Sequence, residues 1–304
     1  MSSHTDVARR FAERGKPLHG NRVFADETTI YSYGHHFPMA IALDDQRTFV
    51  LNGDRYSNTT TGHQSGVRGA CSQTDWTMIV LPFSALAAVG IMRGSQFRDF
   101  YSGARLPENF RVLDTVSDRN EWKCDECGIG WTAGYGDGHY GHEGHGYRHL
   151  LGGSLFRVNG KHYLSGFDET AVRQWLAGYF LVELPGKPKT YADAIESLKP
   201  RQVKQALAAG VDVKRQGDIF AIPTDKATRQ LKGPSGRMAQ LLGQNHVATE
   251  VRVNGKTYAR GTIYHKPAGW NRRPEHVRVT LGNTWHVMVR NTARASFAAS
   301  GYVD

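Results

Sequence analysis

The stretch from Cys124 to His149, CDECGIGWTAGYGDGHYGHEGHGYRH, constrains this chain more than any other. It holds Cys124 and Cys127 in a C-x-x-C pair, together with His139, His142, His145 and His149. A C-x-x-C turn sets two thiolates at the spacing of one tetrahedral ion, and two further N or S ligands close a structural zinc site. Here the second pair has to come from the histidines. Neither the H-x-x-H pair (His139, His142) nor the H-x-x-x-H pair (His145, His149) keeps the usual finger spacing. Gly134, Gly136, Gly138, Gly141, Gly144 and Gly146 argue against a recognition helix, because glycine is costly inside one. The expectation is a glycine-rich loop clipped by zinc through Cys124, Cys127, His142 and His145, with His139 and His149 as alternates. Imidazoles at this spacing also suit nickel or copper. The competing reading is an exposed His/Gly tract with two reduced cysteines. Cys71 stands alone and reads as a small buried hydrophobe.

The charge is lopsided. Residues 1–198 carry 20 Lys+Arg against 22 Asp+Glu, a net of −2, and residues 199–304 carry 18 against 6, a net of +12. A field of one sign over one region is a statement about partners, and nucleic acid is the expected polyanion. Trp270, Arg272 and Arg273 lie in a Pro-bounded loop from Pro267 to Pro274 and suit stacking on a base beside a phosphate. Arg260 and Lys266 join them as candidate phosphate contacts. The alternative is a basic face that only keeps the region soluble.

No apolar run reaches the eighteen or so residues that a membrane-spanning helix needs. The opening MSSHTDVARRFAERGK has no apolar core of a secretory signal. Three cysteines, two of them in C-x-x-C, fit a reducing cytoplasm. No membrane partner is expected.

Along the chain, Asp6 to Gly15 reads as a helix. Thr28–Ser32, Met39–Leu43 and Thr48–Leu51 read as strands, with a hairpin turn at Asn52-Gly53. The hydroxyl run Tyr56 to Gln64 reads as turn and cap chemistry before a helix near Gln64–Ala70, against a phosphate- or base-contacting loop helped by His35, His36 and His63. Asp75–Leu81 is an expected strand and Ser84–Val89 a short helix. Arg111–Val116 is a strand, Asn159-Gly160 centres a hairpin, Ala171–Ala177 is helical and Tyr179–Leu184 a strand. Pro185-Gly186-Lys187-Pro188 punctuates the chain as a domain boundary. Tyr191–Ala209 has helical periodicity, split by Pro200. Asp218–Pro223 is a strand, Gly233–Gly236 a loop, and two hairpins turn at Asn254-Gly255 and Gly282-Asn283. The Asn-Gly motif recurs at 52, 159 and 254 without a longer repeat around it.

These elements describe an α+β protein, mostly β. Its hairpin-rich N-terminal region is 1–120, a Cys/His loop and hairpin region is 121–185, and a helix with a small basic barrel-like β domain is 189–304. Catalysis has a weaker signature. The last third carries His246, His265, His276 and His286, and in an alternating strand His246 and Glu250 face one way, a His–carboxylate pair of the general acid–base kind. His276, beside Glu275, is a further candidate for a phosphodiester-acting hydrolase. No P-loop, H-E-x-x-H or G-x-S-x-G is present.

The runs YSYGHHFPMA, YSNTTTGHQSGVRGA, GGSLFRVNGKHYLSGFDE and DVKRQGDIFAIP resemble uncharacterised proteins encoded by tailed bacteriophages and related mobile elements. The resemblance implies a phage product in a bacterial cytoplasm and carries no residue role. The readings that follow are a nucleic-acid-binding zinc protein, a phosphodiester hydrolase, or a host-takeover protein that binds a bacterial protein.

Overall fold

A computed structural model describes residues 2–35, 37–54, 56–92, 105–123, 130–131, 147–167, 179–242, 245–265, 276–291, 293 and 296–298, with residues 117–123, 130–131, 147–151 and 297–298 described in backbone alone. The fold is α+β and mostly β. Its contacts divide it into one unit of Met1–Thr115 with Gly153–Tyr163 and a second of Val116–Gly152 with Leu164–Asp304.

In the first unit, α1 (His4–Ala12) starts at a capping box in which Ser3 and Asp6 satisfy each other's backbone amides. Five strands follow: β1 (Val23–Ala25), β2 (Thr29–Ser32), β3 (Pro38–Leu43), β4 (Thr48–Asn52) and, after α2 (Asn58–Cys71), β5 (Thr77–Leu81). They form one sheet in sequence order. Phe49, Leu51, Met39 and Ile30 of the sheet bury against Val7 and Phe11 of α1 and Val67 and Cys71 of α2.

Asn52-Gly53 does not make the expected hairpin. β4 and β5 run parallel, so the connection is a crossover through α2. The Asn52 side chain is buried and consumed as a junction: it donates to Pro38 O and accepts from the amides of Asp54 and Phe83. Burying the Asn52 side chain at the strand end overrides the turn preference of the dipeptide. The hydroxyl run is likewise cap chemistry, as the first of its two readings holds. Ser57 caps α2 by accepting from the Thr60 amide, and the helix begins at Asn58, six residues before the expected start. The short helix is α3 (Phe83–Ala88), whose Ser84 amide donates to Asp54.

A second sheet contains β6 (Arg111–Lys123), β7 (Gly130–Trp131), β8 (Tyr147–Val158), β9 (Lys161–Phe167), β10 (Tyr179–Leu184) and the late strand Phe297–Ala298, which pairs with β10. Asn159 and Gly160 join β8 to β9 with both residues at positive φ, 51° and 78°, as a type I′ turn requires. The expected helix at 171–177 lies outside the described residues.

The helical segment of the second unit splits at Pro200 as expected, into α4 (Tyr191–Leu198) and α5 (Arg201–Ala208). A third sheet then runs through β11 (Lys214–Gln216), β12 (Ile219–Pro223), β13 (Ser235–Gln240), β14 (His246–Asn254), β15 (Lys256–His265) and β16 (Val279–Arg290); Phe297–Ala298 is thus β17. Its order is β11-β12-β16-β15-β14-β13, an open antiparallel sheet with no barrel closure among the described residues. Ile219, Ala221, Ala248, Val251, Ala259, Ile263 and Met288 build one buried cluster on it, and Leu231, Tyr258 and Trp285 another.

Two expectations fail in this sheet. The second half of the 233–236 loop, Ser235 and Gly236, is the start of β13, which pairs with β14 from Ser235↔Arg252 onward. Gly282-Asn283 is not a hairpin either. β16 runs through it, with Gly282 at φ 69° facing Gly261 at φ 86° across an irregular ladder. The left-handed glycines are used here to bulge a long strand rather than to reverse it.

Candidate metal centre

The β14–β15 hairpin turns at Asn254-Gly255 and pairs Val251 with Ala259 and Glu250 with Arg260. Continued unbroken, that register would set His246 against Tyr264. It shifts between Ala248 and Glu250, where the two residues Gly261 and Thr262 stand against the single residue Thr249. Beyond the bulge, His246 faces His265 directly. Gly261 permits this: a Cβ there would lie 2.6 Å from Thr249 Cβ. Each histidine continues an inward-facing alternation, His246 after Ala248 and His265 after Ile263, so both rings enter the interior of the sheet.

His276 arrives from the chain ahead of β16 and completes a cluster. Ring centroids are 4.8 Å apart for His246–His265, 4.7 Å for His265–His276 and 6.0 Å for His246–His276. The three residues are 3%, 7% and 2% exposed, and one nitrogen from each lies within 4.8 Å of the others. Three imidazole nitrogens at 2.0–2.1 Å from a tetrahedral ion stand about 3.3 Å apart, so closure asks each ring to move by about an ångström. The residues are therefore close enough to bind one metal ion, and neutral imidazole suits zinc, copper and nickel.

Around the cluster, Asp218 is 4% exposed in its side chain, with Oδ1 3.9 Å from His246 Nδ1 and Oδ2 accepting from Arg290 Nε at 2.6 Å. Gly217, at φ 55°, lies beside the third ring: a Cβ there would meet His276 Nε2 at 3.0 Å.

His246 and His276 were legible as candidates, and His265 was one of four histidines noted in the last third. The expected carboxylate partner is different. Glu250 lies past the bulge and takes Arg260 Nε at 2.7 Å, while the carboxylate beside His246 is Asp218. His286 is placed elsewhere in the sheet, opposite Ala259 and Pro223, with Nδ1 2.9 Å from Thr284 O. Burial holds its pKa below the ordinary imidazole value, followed in order by the Thr284 hydrogen bond, which opposes the shift, and the Lys214 charge, which adds to it. Arg260 is engaged inside the unit by Glu250, by Thr228 and by the Trp285 ring 4.8 Å away. Cys124, Cys127, His139, His142 and His145, with Lys266, Trp270, Arg272 and Arg273, lie outside the described residues; His149 falls in the backbone of β8.

The exposed cations of the described residues have a second focus. Arg252 Nη1 donates to Leu231 O, and Asn254 Nδ2 to Gln230 O, which docks the 226–233 segment on the hairpin tip. Lys226, Arg229, Lys232 and Lys256 are exposed there. From His246 to Asn254 the strand rises about 26 Å, so these cations and the histidine cluster occupy opposite ends of β14.

In the first unit, Ser32 Oγ and His63 Nδ1 are 2.8 Å apart beside a cavity of about 330 Å³ lined by Tyr33, Phe37, Tyr56 and Thr60. Ser32 also lines that cavity and is itself buried, and the pair ties β2 to α2. No helix of the described residues is long and apolar enough to cross a membrane. No family model, curated protein or solved structure matches this chain.

Proposed function

We propose that the protein is a zinc-stabilised nucleic-acid-binding protein, with zinc held by His246, His265 and His276 and the nucleic acid engaged by the basic last third. The observation that carries the metal half is the convergence of three nearly fully buried imidazoles from two strand ends and a connection. Three imidazole nitrogens this close together match the histidine ligand set of one zinc ion. The nucleic-acid half is supported by the +12 of residues 199–304 and by the exposed group Lys226, Arg229, Lys232 and Lys256. Trp270, Arg272, Arg273 and Lys266 belong to the same proposal on sequence grounds, and so does a Cys124/Cys127 zinc loop. On the phage-type resemblance, that work would be done in a host cytoplasm.

Zinc analysis of protein purified without a metal column, alongside oligonucleotide binding across a salt series, tests both halves. Zinc that His265→Ala removes, and affinity that falls steeply with salt, support the reading. Metal-free folded protein, or salt-independent binding, ends the corresponding half.

A second reading has one favouring observation. Three histidines leave a coordination position open, as hydrolytic zinc sites do. Against it stand the burial of the rings and the 26 Å, by strand rise, to the exposed cations. Phosphodiester cleavage abolished by His246→Ala or His276→Ala would favour this reading.

A further inference from the structure

We infer that the turn Gln216-Gly217-Asp218 is the positioning shell of the histidine cluster, with Asp218 fixing His246 so that it meets an ion through Nε2. The inference rests on the metal reading above and concerns residues that reading does not use.

Three consecutive residues each address a different part of the cluster. Gln216 is fully buried, and its Nε2 donates to Val277 O at 2.5 Å and Ile263 O at 3.4 Å. Val277 follows His276 and Ile263 precedes His265 by two, so one amide ties together the backbones that carry two of the rings. Gly217 has no side chain, and the His276 ring occupies the space beside it that a Cβ would crowd. Its φ of 55° suits glycine, and a Cβ there would stand 3.0 Å from His276 Nε2, so the ring would have to shift.

Asp218 addresses the third ring. Its Oδ1 approaches His246 Nδ1 at 3.9 Å, too long for a hydrogen bond but within the range of its charge. A buried carboxylate facing Nδ1 favours the proton on that nitrogen and leaves the Nε2 lone pair for a metal. Carboxylate–histidine–metal relays work this way, fixing tautomer and ring orientation. The carboxylate is itself immobilised: Oδ2 accepts from Arg290 Nε at 2.6 Å, and its backbone oxygen accepts from the Asn291 amide at 2.7 Å. The Arg290 guanidinium also offsets the charge of the carboxylate it contacts.

The test is zinc affinity of the full chain, by competition with a chromophoric chelator, paired with the visible spectrum of the cobalt(II) form. Asp218→Asn should bind zinc 10- to 100-fold more weakly while keeping the nitrogen-ligand cobalt spectrum. Asp218→Asn combined with Arg290→Gln removes both charges and should show the same loss if the single variant folds poorly. Gly217→Ala, which displaces a ligand ring directly, should weaken zinc and change the cobalt spectrum. If the wild type takes up no zinc, or His265→Ala does not reduce uptake, the metal reading itself fails and this inference with it. If uptake depends on His265 but folded Asp218→Asn and Gly217→Ala bind as tightly as the wild type, the shell assignment alone is overturned.

Discussion

Zinc should raise the thermal stability of the second unit, and His265→Ala should abolish most of that rise. A ligand that binds only the folded state stabilises it by RT ln(1 + [L]/Kd), about 2.7 kcal/mol at a hundredfold excess over Kd. The unit spans Val116–Gly152 and Leu164–Asp304, roughly 180 residues, for which the entropy of unfolding is about 0.4 kcal/mol per kelvin. The expected rise in Tm is therefore about 7 °C if the unit melts as one. Differential scanning calorimetry on chelator-stripped protein, with and without zinc, reads the shift. The comparison with His265→Ala is what makes it specific, since any ion bound in the Cys124/Cys127 stretch would contribute equally to both proteins. An equal rise in wild type and variant would refute a role for the cluster.

Replacing Lys226, Arg229, Lys232 and Lys256 with Gln should flatten the salt dependence of nucleic-acid affinity by up to about 3.6 in the log–log slope, near 0.9 for each phosphate no longer neutralised, and an unchanged slope would show that this face is idle. Asn52→Ala should cost about 2–4 kcal/mol in denaturant melts, because the Pro38 carbonyl and the Asp54 and Phe83 amides are left without their shared partner. The Cys71 thiol is pushed from 9.0 to about 12, first by burial, with the Arg14 charge opposing. Folding thus favours its protonated form, so its contribution is intact below pH 9 and is lost as pH rises from 9 toward 12. Cys71→Ala should flatten stability over that window, and an identical alkaline profile would count against it.

Much of the fold could be read because local chemistry and tertiary structure agree. Pro200 lacks the amide a helix interior needs, and it separates α4 from α5. Asn159-Gly160 turns a hairpin because both strands continue into a sheet on either side. The same dipeptide at Asn52-Gly53 misleads because a buried Asn has three backbone groups to satisfy, and no turn statistic contains that. Gly282 misleads for a related reason. Positive φ is needed both for reversing a strand and for bulging it, and the sequence is the same in either case. The bulge glycines also decide the histidine site, which is why that site was only half legible. His246, His265 and His276 have no motif spacing; a strand register brings them together.

That dependence makes Gly261 the most informative position in the second unit. Only the bulge at Gly261-Thr262 sets His265 against His246 rather than letting Tyr264 face it. Gly261→Ala places a Cβ on a left-handed residue at φ 86° and drives it to 2.6 Å from Thr249 Cβ. The strain alone is worth about 1–3 kcal/mol, and the chain can relieve it by expelling the bulge. A one-residue slip turns the end of a strand over, so His246 and His265 would no longer share a face. The variant should then lose zinc affinity far beyond what its loss of stability implies, whereas Gly255→Ala, at the open hairpin tip with a similar φ of 65°, should lose stability and keep the metal. Zinc titration of the two variants separates these effects. Equal zinc affinity in both would mean that the bulge serves only the shape of the sheet, and that the pairing of the two histidines survives without it.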